Sequence, residues 1–158
     1  MRATFILAFV VFFITGCNGV STPEPEPPTA ISFKTSLATY DKFNQVSRTF
    51  LQQEEITMVL SLENLSNTST SIRSSDARTF EISLKDSSGA IVWNRSDGLI
   101  WAPTETITAI PAHGTITETV KWSQILYVSK TPLPTGTYTL EGHFRGVDQM
   151  ATLTLTII

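Results

Sequence analysis

Apolar and polar residues alternate with a period of two in four separate segments of the chain. Over 55–63, Ile56, Met58, Leu60 and Leu62 alternate with Thr57, Val59 and Ser61. Phe80, Ile82 and Leu84 stand against Thr79, Glu81 and Ser83; Tyr138, Leu140 and Phe144 against Thr137, Thr139, Glu141 and His143; and Leu153, Leu155 and Ile157 against Thr152, Thr154 and Thr156. Successive side chains of a strand point to opposite faces, so each segment predicts a strand with one buried face. Less regular strands are expected at 31–39, 70–73, 90–94 and 115–122. Between them stand clusters of turn-forming residues at 64–68, 86–89, 97–98, 111–114, 132–136 and 146–148. No amphipathic stretch of helical period interrupts the series.

Composition points the same way. Of 158 residues, 24 are Thr and 16 are Ser; Thr is β-branched and Ser competes for backbone hydrogen bonds, so both favour strands and turns over helices. The expected fold is all-β: an immunoglobulin-like antiparallel β-sandwich of about seven to nine strands over 31–158. Lys and Arg number 11 against 14 Asp and Glu, which leaves no basic excess for nucleic acid. A single cysteine excludes an intrachain disulfide framework and a multi-cysteine zinc site.

That cysteine lies behind an export signal. Arg2 precedes ten uncharged residues over 5–14, about 15 Å as a helix and half of a bilayer's hydrocarbon core, so 1–16 reads as a signal peptide and not a membrane span. Ile14-Thr15-Gly16-Cys17 resembles the lipobox of bacterial lipoproteins. The resemblance implies cleavage between Gly16 and Cys17 and a lipid on the Cys17 thiol, with membrane lipid as the first partner and an envelope location. Asn18 is not the aspartate that retains such proteins at an inner membrane, which favours the outer membrane in a cell that has two. Residues 17–30 then form a tether. Pro23, Pro25, Pro27 and Pro28 alternate with Glu24 and Glu26, a composition expected to run extended for roughly 35–40 Å at about 3.1 Å per residue.

The chemistry of catalysis is missing from the pattern. His113 and His143 are the only histidines; one sits in a Pro-Ala-His-Gly turn and the other on the polar face of a strand, and no nucleophile or carboxylate cluster accompanies either. Asp76, Glu81, Asp86 and Asp97 fall in different turns and strands and read as solvated carboxylates without calcium-loop spacing. Asn64, Asn67 and Asn94 each begin an Asn-X-Ser/Thr triplet and read as turn formers. No metal site or cofactor is expected, and the chain is read as a non-enzyme.

Aromatic and aliphatic residues in loops are more informative. Trp93 and Trp122 are expected to bury against the opposite sheet. Leu99, Ile100 and Trp101 instead fall between Gly98 and Pro103, where large apolar residues either fold back as a plug or await a partner. A second such segment runs from Ile125 through Tyr127 to Pro132. Both have the form of a strand-like, proline-bounded loop able to pair along a protease cleft.

Over 55–144 the order of features resembles the BsuPI-type intracellular proteinase inhibitor family. The residues that carry it are the strand 56–64 ending in a polar turn, Ser74-Ser75 before Phe80 to Leu84, the hairpin Asp86 to Gly89 leading to Ile91-Val92-Trp93, Ile110-Pro111-Ala112-His113-Gly114 before a Thr-rich strand ending at Trp122, and Leu133-Pro134-Thr135-Gly136-Thr137-Tyr138. After Trp93 the family tends to place a second aromatic, whereas Asn94-Arg95-Ser96 follows here. The resemblance implies an immunoglobulin-like fold and a serine protease as protein partner. The expected function is a lipid-anchored envelope module that binds protein, as a proteinase inhibitor or as a structural or assembly accessory.

Overall fold

A computed structural model describes residues 32–158; Gly16, Cys17, the signal segment and the tether lie outside them. Ten strands are present among the described residues: β1 (Phe33–Tyr40), β2 (Thr49–Phe50), β3 (Ile56–Asn64), β4 (Thr70–Ser74), β5 (Phe80–Lys85), β6 (Ile91–Asn94), β7 (Thr106–Ile110), β8 (Thr115–Trp122), β9 (Gly136–Phe144) and β10 (Met150–Ile157). Two of them, β2 and β7, were not expected from the sequence. β2 is too short to show a period. In β7 the apolar pattern is inverted: Ile107 points out and is 54% exposed, while Thr106 and Thr108 take the inner side.

The strands form an immunoglobulin-like sandwich. One sheet has the order β1-β3-β8, the other β2-β10-β9-β5-β6, and β4 pairs with β7 as a separate ribbon. All pairings are antiparallel except the short β2–β10 contact. The period-two residues of the sequence form the core: Ile56, Met58, Leu60 and Leu62 of β3 face Phe80, Ile82 and Leu84 of β5, Tyr138, Leu140 and Phe144 of β9, and Leu153, Leu155 and Ile157 of β10. Burial of each such side chain stabilises by about 1.5–3 kcal/mol. Gly142 occupies the inner position of β9 between Leu140 and Phe144; a Cβ there would stand 2.8 Å from Leu60 Cδ1, so the missing side chain sets how closely the sheets approach.

The two flanks are closed differently. On one side β1 runs beside β10. On the other, Trp93 of β6 and Trp122 of β8 stack at 4.5 Å between centroids and 26° between planes, joining the terminal strands of the two sheets. The Tyr138 hydroxyl donates to Pro134 O at 2.8 Å, a tyrosine corner of the kind found in immunoglobulin-like domains.

Polar residues pin the ends. Asn64 is fully buried at the end of β3. Its Nδ2 donates to Thr68 O and Pro111 O, each at 2.9 Å, and its Oδ1 accepts from the Ser66 N–H and hydroxyl. It therefore clamps two connections together, a larger role than that of a turn former. Asp76, read from sequence as a solvated carboxylate, accepts from Arg78 Nη2 at 2.6 Å and faces Arg145 at 3.5 Å. The hydrogen bonds from the Arg78 side chain and N–H are the main reason its carboxyl drops to about 2.

Candidate functional site

Two connections that the sequence separates by the stretch 106–122 meet on the flank beside the tryptophan stack. The first, 95–105, joins β6 to β7. It opens with a tight turn in which Asn94 Oδ1 accepts from the Ser96 N–H (2.8 Å), Asp97 Oδ2 accepts from the Asn94 N–H (3.0 Å) and the Leu99 N–H donates to Ser96 O (3.0 Å). Gly98 completes the turn at φ +74°. Beyond it no residue from Leu99 to Glu105 has a positive φ, and among the described residues no backbone hydrogen bond engages Ile100 or Trp101. The segment is tied down again where Ala102 O accepts from the Ala77 N–H at 3.1 Å.

Arg95 supports this segment from beneath. Its N–H donates to Ile82 O at 2.9 Å. Its guanidinium carbon lies 3.9 Å from the Phe80 ring centroid and 4.8 Å from that of Trp101, so one planar cation joins a core aromatic to the loop. Burial pulls the guanidinium below its ordinary range, opposed by the charges of Glu81 and Glu118, and it remains protonated. Glu81 is no solvated carboxylate: it is 8% exposed, and its Oε2 accepts from the Ser96 hydroxyl at 2.5 Å. Arg95 thus provides a flat stacking surface close to where the family resemblance leads one to expect a second aromatic.

The second connection, 123–135, joins β8 to β9. Gln124 is fully buried at φ +61°, donating from Nε2 to Leu51 O (2.8 Å) and Glu54 O (2.9 Å). The adjoining residues close on themselves: Ile125 bridges Pro132, the Leu126 N–H donates to Thr131 O, and the Lys130 N–H donates back to Leu126 O at 3.0 Å. Lys130 has φ +56°. The expectation of a strand-like loop around Tyr127 is therefore corrected, because 127–129 form a turn closed by the Lys130 N–H bond back to Leu126 O.

The two connections touch at Gly98 and Tyr127. The Gly98 Cα lies so close to the tyrosine ring that a Cβ would be driven into it, while Lys130 Nζ stands 4.0 Å from the ring centroid. Together they present Leu99 (53% exposed), Ile100 (100%), Tyr127 (48%) and Val128 (91%) to solvent. Trp101 is half-buried with its Nε1 fully enclosed, which matches a residue folded back under the loop, and Pro132 is half-buried in the bridge. Arg95, Gly98 and Val128 complete the arrangement; Val128 lay within the second candidate segment and Gly98 bounded the first, whereas nothing in the sequence pointed to the support that Arg95 gives.

The remaining candidates lie elsewhere. His113, at φ +55°, is exposed, and its Nε2 lies 2.9 Å from Asn67 Oδ1. His143 sits opposite Glu81 across β5 and β9. The chemistry available on the flank is that of contact: exposed aliphatic surface and unengaged backbone on a supported loop.

The sequence matches the profile of a family described as BsuPI, intracellular proteinase inhibitor, over residues 44–149. No curated protein matches it. Among solved structures, the chain is similar to the CARDB domain of a Pyrococcus furiosus protein in complex with di-metal ions, at 9% identity and TM-score 0.44, covering 81% of this chain and 89% of that one. It is similar also to a β-glucosidase from Listeria innocua in complex with glucose (10% identity, TM-score 0.49) and spans 80% of itself but 16% of that enzyme. A β-glucosidase from Erythrobacter marinus gives 10% identity and TM-score 0.48, with 81% and 16% covered.

Proposed function

The chain belongs to the BsuPI intracellular proteinase inhibitor family, and from that premise we propose that it acts on a serine protease of the cell envelope, inhibiting it through the joined loops while a lipid on Cys17 holds it at a membrane. The observation that carries the reading is Ile100, wholly exposed on a segment fixed at both ends. A large aliphatic side chain in water favours a partner that buries it, by about 1.5–3 kcal/mol. The neighbouring backbone groups that no intramolecular bond engages suit pairing along an enzyme cleft. Because Arg95, Glu81 and Tyr127 hold the segment before binding, little ordering entropy opposes association. The test is residual protease activity with increasing full-length chain purified in detergent. Turnover should fall to completion with the wild type, and Ile100→Asp should weaken the effect by about 100-fold or more. Full activity of a broad panel of serine proteases in excess chain would remove the reading.

A further inference from the structure

Resting on that inhibitory reading, we propose that Ile100 enters the primary specificity pocket of the target, and that the target is therefore an endoprotease whose pocket accepts an aliphatic side chain. Exposure singles it out. Leu99 is half-covered and Trp101 is held below by Arg95, whereas Ile100 between them is wholly free. A wholly free side chain beside one held inward, on a backbone without positive φ, suits a substrate-like segment presented to a cleft, the free side chain entering the pocket.

The chemistry of the segment narrows the enzyme. Leu99-Ile100-Trp101-Ala102-Pro103-Thr104 carries no charge, so a pocket with a carboxylate at its base, built for Lys or Arg, would be left with an unpaired buried anion. An aromatic-selective slot is also disfavoured, since the aromatic neighbour Trp101 is the residue turned inward. A branched four-carbon side chain fills a pocket of aliphatic preference. Tyr127 and Val128 extend the same apolar surface, and Lys130 is drawn over the Tyr127 ring.

The experiment compares inhibition of elastase-type, chymotrypsin-type and trypsin-type serine proteases by the full-length wild type and by Ile100→Arg. Complete exposure at this position means that the variant should keep the wild-type melting temperature, which is measured alongside. The wild type should inhibit the elastase-type enzyme at a concentration at least 100-fold lower than the trypsin-type enzyme, and Ile100→Arg should reverse that preference. Equal inhibition of all three, or a preference unmoved by Ile100→Arg while inhibition persists, overturns the assignment of Ile100 and leaves the inhibitory reading standing. Failure of the wild type to inhibit any of the three at excess overturns both.

Discussion

A side chain at position 98 has nowhere to go, because the tyrosine ring of the neighbouring connection occupies the space and the backbone is left-handed there. Gly98→Val should therefore cost about 2–6 kcal/mol, left-handed strain and overpacking each contributing about 1–3, and urea denaturation reads that loss directly. Arg95 is a different case. Its guanidinium supports the loop without being part of the exposed surface, so Arg95→Ala should leave a folded protein whose segment 99–102 is no longer rigid. On the proposed inhibitory reading such a loop should be cut as a substrate is: the enzyme's serine would attack the Ile100 carbonyl carbon, the Ile100–Trp101 bond would break with its proton passing to the departing Trp101 amine, and water would then release the acid. Mass spectrometry should find cleavage after Ile100 in Arg95→Ala and an intact wild type under the same conditions. Arg95→Lys, which keeps the charge but loses the planar stack, should behave like the alanine variant. Asp76 gives a prediction in pH. Its folded value of about 2 lies below the ordinary 3.8, so its stabilisation is fully present above about pH 4 and is lost as pH falls through 2. Thermal melts from pH 7 downward should show Asp76→Asn less stable than wild type, with the difference closing below pH 4.

At the scale of elements, β3, β5, β9 and β10 are legible in the sequence because each buries one face and leaves the other in water, so the alternation of residue types is the burial pattern itself. β7 is not, since its ribbon with β4 sets Thr inward and Ile107 outward. The buried polar residues were illegible for a related reason. Asn64 and Glu81 look like surface residues until the connections that cover them are placed, and those are set by contacts more than 40 residues apart for Asn64 and 15 for Glu81. Of the site, the apolar residues in loops could be read, but not that the two loops meet, nor which of them is extended. The Trp93–Trp122 stack was legible only as burial, and its structural consequence belongs to the elements: it ties β6 of one sheet to β8 of the other. Trp122→Ala should cost about 3–5 kcal/mol and should loosen the connection that follows, since the Trp122 indole N–H donates to Ile125 O at 3.1 Å. Hydrogen exchange should rise at 124–133 in that variant while β1 stays protected.

For the whole molecule, what matters is where the chain comes in relative to the surface it offers. Phe33 pairs with Asn64 at one end of β3, and Trp122 pairs with Ile56 at the other. The nine residues of β3 separate these ends by about 30 Å. The connection carrying Tyr127 departs from the Trp122 end, with Gln124 fastened to Leu51 and Glu54 there. A lipid on Cys17 would pull on the opposite end, the one at which β1 begins, while the Ile100 segment runs back from Gly98 to Ala102, bonded to Ala77 near the Phe80–Phe144 pair. The joined loops therefore lie along the flank, and the expected tether of roughly 35–40 Å is what should leave them open to a soluble enzyme. Two measurements address this together. A palmitate analogue fed to cells should label the wild type and not Cys17→Ser, which should appear in the soluble fraction. Wild type reconstituted into vesicles should then inhibit an added soluble protease within about two-fold of its potency in detergent, because the expected tether of roughly 35–40 Å holds the flank clear of the bilayer. A large loss of potency on vesicles would mean that the surface lies toward the lipid, and equal labelling of the cysteine variant would remove the anchor.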